Sequence, residues 1–318
     1  MRIELITPAP ARSRSGNRAT ANRWARLLRG LGHRVNVVVD YTGNDADLVV
    51  ALHAWRSASA ISRFAELHPD RPLIVVLTGT DAYRFIHSHP VETLGSIERA
   101  DRIVGLHGLI GETIPPVQRH KLRVIYQSAR PLSGRIPPKR IFRVCMAGHL
   151  RDEKDPLRPA LAVRDLPASS RLQVDAYGKA HTPEWAAAAA AEVKRNPRDR
   201  WHGEIGHALL RQVYRRSHVL ALSSRMEGGA NVVSEAVMAG LPVIASEIPG
   251  SVGLLGADYP AYYPAEDTRA LRDLLLRAES DGAFYVRLQE ACDARRPLFS
   301  EQAERQGWAD LLAELRPA

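Results

Sequence analysis

The sequence predicts an α/β fold of two Rossmann-like, doubly wound domains facing a central cleft. Three observations carry this expectation. Short apolar, β-branched runs alternate with helix-period segments, the pattern of parallel βαβ units. The runs are apolar at consecutive positions, as strands covered on both faces must be. One proline-rich stretch interrupts the series near the middle of 318 residues, a length that suits two domains of about 150 residues each.

In the first half, strands are expected at Ile3–Thr7, Val35–Val39, Leu48–Leu52, Leu73–Leu77, Ile103–Leu106 and Val124–Tyr126. Between the first two, Trp24, Leu27, Leu28 and Leu31 recur at the spacing of one helix face. Gly32 stands where that helix should stop. Three prolines and a glycine within Arg130–Lys139 read as a linker. A second series of strands follows near Arg143–Ala147, Gln173–Tyr177, Val219–Leu222 and Val243–Ala245. The alanine-rich Pro183–Val193 is good helix material, and a last helix covers about 300–315. The expected domains are therefore 1–133 and 141–298. A C-terminal helix in 299–318 should pack back toward the first domain. No short internal period marks a solenoid. In open α/β sheets, ligands bind at the carboxyl ends of the strands.

The net charge is +9 and lysines number five, so arginine supplies the excess. Those arginines are scattered and aromatic residues make up 6%, which argues against a nucleic-acid partner, whose site would cluster both. A solvated arginine-rich surface, with a few arginines at an anionic site, accounts for the charge. No apolar run reaches the roughly 20 residues that span a bilayer, so no membrane insertion is expected. Met1–Ile6 reads as a strand and not as a signal peptide. Cys145 and Cys292 form neither a disulfide framework nor a zinc spacing. A cytoplasmic protein is the expectation.

Four segments carry chemistry. The first is Glu227-Gly228-Gly229-Ala230-Asn231-Val232-Val233-Ser234-Glu235, followed by Gly240-Leu241-Pro242-Val243. It reads as a small-residue loop opening a helix near Asn231, whose N–H groups suit a phosphate or a ring of hydroxyls. Glu235, expected about two turns into that helix, reaches a different part of the same ligand than Glu227. The second is Gly148-His149-Leu150-Arg151-Asp152-Glu153-Lys154, directly after a strand. Arg151 and Lys154 there are cations suited to a departing diphosphate. The third is the loop Arg12-Ser13-Arg14-Ser15-Gly16-Asn17-Arg18 before the first helix, an anion site by construction. The fourth is Thr78-Gly79-Thr80-Asp81 at a strand's end. Each also has a bland reading: a solvated turn, a mixed-charge surface loop or a mobile exposed segment. His53 reads as a structural or lining residue. Asp45-Ala46-Asp47 precedes a strand and lacks partner ligands, so no metal is expected.

The first segment resembles the signature of the large retaining GT-B glycosyltransferase family, in which Glu-Gly-Phe-Gly is followed after four residues by Glu-Ala and then by a Gly-x-Pro turn. The resemblance implies that Glu227 and the loop amides of Gly228, Gly229, Ala230, Asn231 and Val232 hold the donor sugar and diphosphate, and that Glu235 holds the ribose. The family's second loop glycine aligns with Ala230 and its aromatic residue with Gly229. In the second segment the family reads Gly-Arg-x-x-x-x-Lys. Gly148 and Lys154 match, His149 stands for the arginine, and Arg151 substitutes for it. In the fourth segment the family's histidine is Thr78, ahead of Gly79 and Asp81. By resemblance the third and fourth segments border the acceptor, with Arg12, Arg14, Gly16, Asn17, Arg18, Thr78 and Asp81 facing it.

Four pieces together, Gly16–Trp24, Leu52–Ala58, Tyr126–Pro131 and Arg225–Glu235, resemble the selenosugar synthases of selenoneine biosynthesis. These join selenophosphate to a sugar from a UDP-sugar such as UDP-N-acetylglucosamine or UDP-glucose, forming a carbon–selenium bond. An anionic selenium nucleophile has little need of a general base, which agrees with the arginine-rich loop and with Thr78. The expectation is a metal-independent hexosyltransferase without a cofactor, UDP-sugar and selenophosphate being its substrates. The alternatives are a GT-B enzyme with a sugar, thiol or lipid acceptor and a non-catalytic nucleotide-sugar-binding protein.

Overall fold

The computed structural model describes residues 1–315; positions 316–318 of the expected C-terminal helix lie outside them. The chain divides into two compact units. Unit 1 takes Met1–Gln127, Gly228–Ala230 and the segment from Glu301 onward, and unit 2 takes Ser128–Glu227 and Asn231–Ser300.

The sheet of unit 1 consists of β1 (Arg2–Ile6), β2 (Arg34–Val38), β3 (Leu48–Leu52), β4 (Leu73–Val76), β5 (Arg102–Gly105) and β6 (Leu122–Val124). Their order is β2-β1-β3-β4-β5-β6, parallel throughout. β3 shows why its sequence is apolar at every position. Leu48, Val50 and Leu52 enter one core layer, Val49 and Ala51 the other, as the two-residue period of a strand requires. In the first layer Trp24 and Leu28, from the helix Gly16–Gly30, meet Trp308, Leu311 and Leu312 of the helix Glu301–Glu314. The rings of Trp24 and Trp308 lie edge to face at 4.8 Å.

A buried carboxylate fastens those two helices. Glu304 accepts the indole N–H of Trp24 at 2.6 Å and the Nε–H of Arg23 at 3.1 Å. Arg23 also donates to Gln127 Oε1 at 2.9 Å, as does Thr20 at 3.1 Å. Arg23, Trp24 and Gln127 belong to the short segments that resemble the selenosugar synthases. In this structure they are parts of a core clamp.

Unit 2 carries β7 (Phe142–Ala147), β8 (Leu172–Tyr177), β9 (Asp199–Trp201), β10 (Val219–Leu222), β11 (Val243–Ser246) and β12 (Tyr262–Tyr263). The order is β12-β11-β10-β7-β8-β9, again all parallel. The edge strands β9 and β12 are absent from the sequence expectation. They are two or three residues long, and Asp-Arg-Trp shows no apolar run.

The proline-rich stretch is not a free linker. The Leu132 N–H donates to the Met238 carbonyl at 3.0 Å and the Ile136 N–H to the Arg215 carbonyl at 2.9 Å. Arg211 reaches the Arg130 and Pro131 carbonyls, each at 2.9 Å. The division of the chain falls before it, between Gln127 and Ser128. Among the described residues no helix is long and apolar enough to cross a membrane.

Candidate active site

Each sheet has one topological switch point. In unit 2, β7 and β10 are neighbours, yet the connection after β7 leads to one side of the sheet and that after β10 to the other. A crevice opens outside the carboxyl ends of such a strand pair. The loops that enter it are Gly148–Lys154, singled out by sequence, and Ser223–Glu227, which leads into the sequence-predicted segment at Glu227.

These loops are laced together. The Arg225 N–H donates to the Glu153 carbonyl at 2.8 Å, and Ser223 Oγ donates to the carbonyls of Lys154 and Asp155 at 3.0 and 2.8 Å. Asp155 takes a left-handed conformation, φ 41°, to close the turn at Lys154. The result brings Lys154 Nζ into a salt bridge with Glu227 Oε1. The same oxygen accepts Ser224 Oγ–H at 2.5 Å. Glu227 is buried, 7% exposed, so its charge depends on these donors. Ser224 escaped the sequence reading. The available signal was a small polar residue at a strand's carboxyl end.

Glu235 is held apart from this pair, in the helix Asn231–Met238. Its Oε2 accepts the Tyr214 hydroxyl at 2.9 Å and its Oε1 lies 3.2 Å from His207 Nε2. Tyr214 and His207 also escaped notice, although their spacing along one helix, His207–Arg216, sets them two turns apart on one face.

His149 lies in the loop after β7, against the loop after β8. Its Nδ1 accepts the Lys179 N–H at 3.2 Å, which leaves the ring proton on Nε2. Burial, and then the His181 ring centred 5.2 Å away, lower its pKa. It is a neutral N–H donor at neutral pH and does not replace a guanidinium. Gly178 permits this arrangement, because a Cβ there would lie 1.9 Å from the Gly148 carbonyl oxygen. Arg151 Nε lies 3.9 Å from Glu153 and the side chain is partly exposed.

Unit 1 places Gly228, Gly229 and Ala230 with the ends of its strands. A Cβ on Gly228 would meet the Gly79 nitrogen at 2.2 Å, and one on Gly229 the Leu106 Cβ at 2.5 Å. The switch point of this sheet lies between β1 and β3. The loop after β1 carries the exposed Arg12 and Arg14. Gly16, Asn17 and the half-buried Arg18 open the following helix, which Ser15 caps. His53, after β3, is buried in a left-handed conformation at φ 73°, with Nε2 3.1 Å from Thr80 Oγ1. Burial lowers its pKa against the pull of Asp81.

Asp81 requires a correction. It was expected to face the acceptor, but it has no exposed surface. Its Oδ1 accepts the N–H groups of Thr78 and Gly79 at 2.9 and 2.8 Å, and its Oδ2 that of Ala54 at 2.9 Å. It shapes the loop, and Thr78 at the loop's start remains half-exposed. Asp45 and Asp47 face Arg2, and Asp45 also meets Arg71 at 2.6 Å. Among the described residues no group of three or more His, Cys, Asp or Glu side chains is arranged to hold a metal.

The profile of the family described as Glycosyl transferases group 1 matches residues 135–295, just over half of the chain. The chain belongs to this glycosyltransferase family. The matched residues take in the whole Lys154–Glu227–Glu235 constellation. The GT-B fold recurs in solved structures of low identity. HepE of Anabaena, in complex with UDP-glucose, is 15% identical, with a TM-score of 0.81 over 99% of this chain and 100% of that one. Sucrose-phosphate synthase of Thermosynechococcus elongatus is 16% identical, with a TM-score of 0.82 over 99% and 98%. A glycosyltransferase of Rickettsia africae is 14% identical, with a TM-score of 0.74 over 99% and 98%. No curated protein matches the sequence significantly.

Proposed function

We propose that this group 1 glycosyltransferase moves a sugar from a UDP-sugar to selenophosphate, making a selenosugar. The observation that carries the donor half is the Lys154–Glu227 salt bridge at the switch point of unit 2, with Glu235 fixed separately one loop away. HepE, which shares the fold, binds UDP and UDP-glucose. In this reading Glu227 accepts the sugar hydroxyls and Glu235 those of the ribose. Gly148, His149 and the amides of Asn231 and Val232 line the diphosphate. The C1–O bond to UDP breaks with its electron pair leaving on the diphosphate, and Lys154, aided by Arg151, stabilises that growing charge. No metal or cofactor takes part.

The acceptor half rests on unit 1. Arg12, Arg14 and Arg18 surround the start of a capped helix, and Thr78 offers no base. Such a site suits a small multiply charged anion whose selenium attacks C1 without prior deprotonation. The test is to incubate the protein with UDP-glucose or UDP-N-acetylglucosamine and selenophosphate, thiophosphate or phosphate, with excess EDTA, and to identify products by mass. A sugar–selenium product and released UDP are expected. Preference for a neutral alcohol in direct competition would overturn the acceptor assignment, and activity restored only by magnesium or manganese would overturn the metal-free mechanism.

A further inference from the structure

We infer that Tyr214 is a positioning residue for Glu235 and that His207 is an internal competitor for the oxygen that receives the donor's ribose, so that donor binding expels a proton. The inference rests on the proposed ribose role of Glu235.

The two carboxylate oxygens of Glu235 have unlike partners. Oε2 receives the hydroxyl of Tyr214, which is 1% exposed. Burial raises the pKa of that phenol, so it stays a donor at every physiological pH. A buried phenol on a rigid helix fixes the carboxylate's rotation and supplies nothing that a ligand can displace. Oε1 instead faces His207 Nε2 at 3.2 Å, and the His207 side chain is 63% exposed. An exposed ion pair of this kind is worth little and exchanges readily. Oε1 is therefore the oxygen open to a ligand hydroxyl.

Exchange of His207 for a hydroxyl has a protonic consequence. The hydrogen bond and charge of Glu235 raise the pKa of His207, opposed by burial and by Arg211 and Arg130. When a ribose hydroxyl takes Oε1, His207 loses the partner that held its proton. Linkage then requires that a ligand which lowers this pKa bind more weakly as pH falls through it. One proton gives a limit of about tenfold in affinity per pH unit.

The experiment is calorimetry with UDP-glucose from pH 5.5 to 8 in two buffers of different ionisation enthalpy. The diphosphate of UDP-glucose, esterified at both ends, does not titrate in this range. The intact protein should release a fraction of a proton on binding at pH 6, and its affinity should rise several-fold between pH 5.5 and 7.5. His207→Gln should bind more tightly than wild type at pH 5.5 and remove that part of the proton release. Tyr214→Phe, which keeps the ring, should weaken binding about tenfold with an unchanged melting temperature and a retained pH slope. Affinity that rises on acidification, or a pH profile identical in His207→Gln, overturns the competitor. Wild-type affinity in Tyr214→Phe overturns the positioning role. Glu235→Ala separates the levels. If it weakens binding while the other two variants bind as wild type does at every pH, the ribose reading stands and this inference falls. If it binds as wild type does, both fall.

Discussion

Glu304 in unit 1 and Glu227 in unit 2 are both buried carboxylates that face a cation and a neutral donor. Their surroundings differ. Glu304 lies on a helix, and its donors, Arg23 and Trp24, belong to another helix packed in the same core. The groups around it are large and fixed, and its effect is to join two elements. Glu227 lies in a loop at the carboxyl end of a strand. Its cation is a flexible lysine on the neighbouring loop, and Gly228 follows it directly. One site buries charge to specify packing. The other holds charge where a parallel sheet opens a crevice. Burial and pairing alone do not separate a carboxylate that joins two helices from one held at the mouth of a crevice.

Glu304→Ala should give the largest effect. It leaves the mostly buried guanidinium of Arg23 without its carboxylate, at a cost of about 3–5 kcal/mol in urea unfolding. A loss below about 1 kcal/mol would remove the structural half of the comparison. In the proposed reaction Lys154→Ala should lower turnover by about 10²–10³-fold while changing the donor Michaelis constant little, because charge on the diphosphate would grow as its bond to the sugar breaks. A rise in that constant alone would make Lys154 a binder only. Glu235→Ala should weaken UDP by about 1.5–3 kcal/mol, read by calorimetry.

Asp199 sharpens the contrast, since it is a buried carboxyl with no salt bridge among the described residues. Burial, and then Glu192, push its pKa up to about 6, and its Oδ1 has no hydrogen-bond partner. A raised carboxyl pKa means that the folded state binds the proton more tightly than the unfolded chain. Stability is therefore lost as pH rises from about 4 to 6. Asp199→Asn should gain about 1–2 kcal/mol over wild type above pH 6 and nothing below pH 4. Parallel unfolding curves at the two pH values decide this. The smallest effect is expected in the loop after β1. On the proposed acceptor reading, neutralising Arg12, Arg14 or Arg18 singly should raise the Michaelis constant for selenophosphate about three- to tenfold, less so in high salt. Normal use of acceptor by all three variants would return that loop to a solvated surface.

The sheets were legible where strands are buried on both faces. Leu48–Leu52 and Val219–Leu222 have the same limits in sequence and structure, because every side chain in them is apolar. β9 and β12 were hidden because edge strands of two or three residues need no apolar pattern. The loops with Lys154 and Glu227, and the helix with Glu235, could be found because small residues, charges and strand ends coincide in sequence. Their partners could not. Ser224, Tyr214 and His207 are ordinary residues until the chain folds, and only the sheet order brings β7 beside β10. Asp81 misled for the opposite reason. A carboxylate at a strand's end looks like a ligand group, but its backbone partners are invisible in sequence.

Gly178 bears on how the loops after β7 and β8 can be engineered. Its absent side chain lets the backbone of one loop lie against Gly148 and His149 of the next. A randomised library at position 178 should return almost nothing but glycine among folded clones. Positions 149 and 181, whose rings stand on that seam, should tolerate exchange. Diversity in this pair of loops is best placed in those two imidazoles, with the glycine beneath them left untouched.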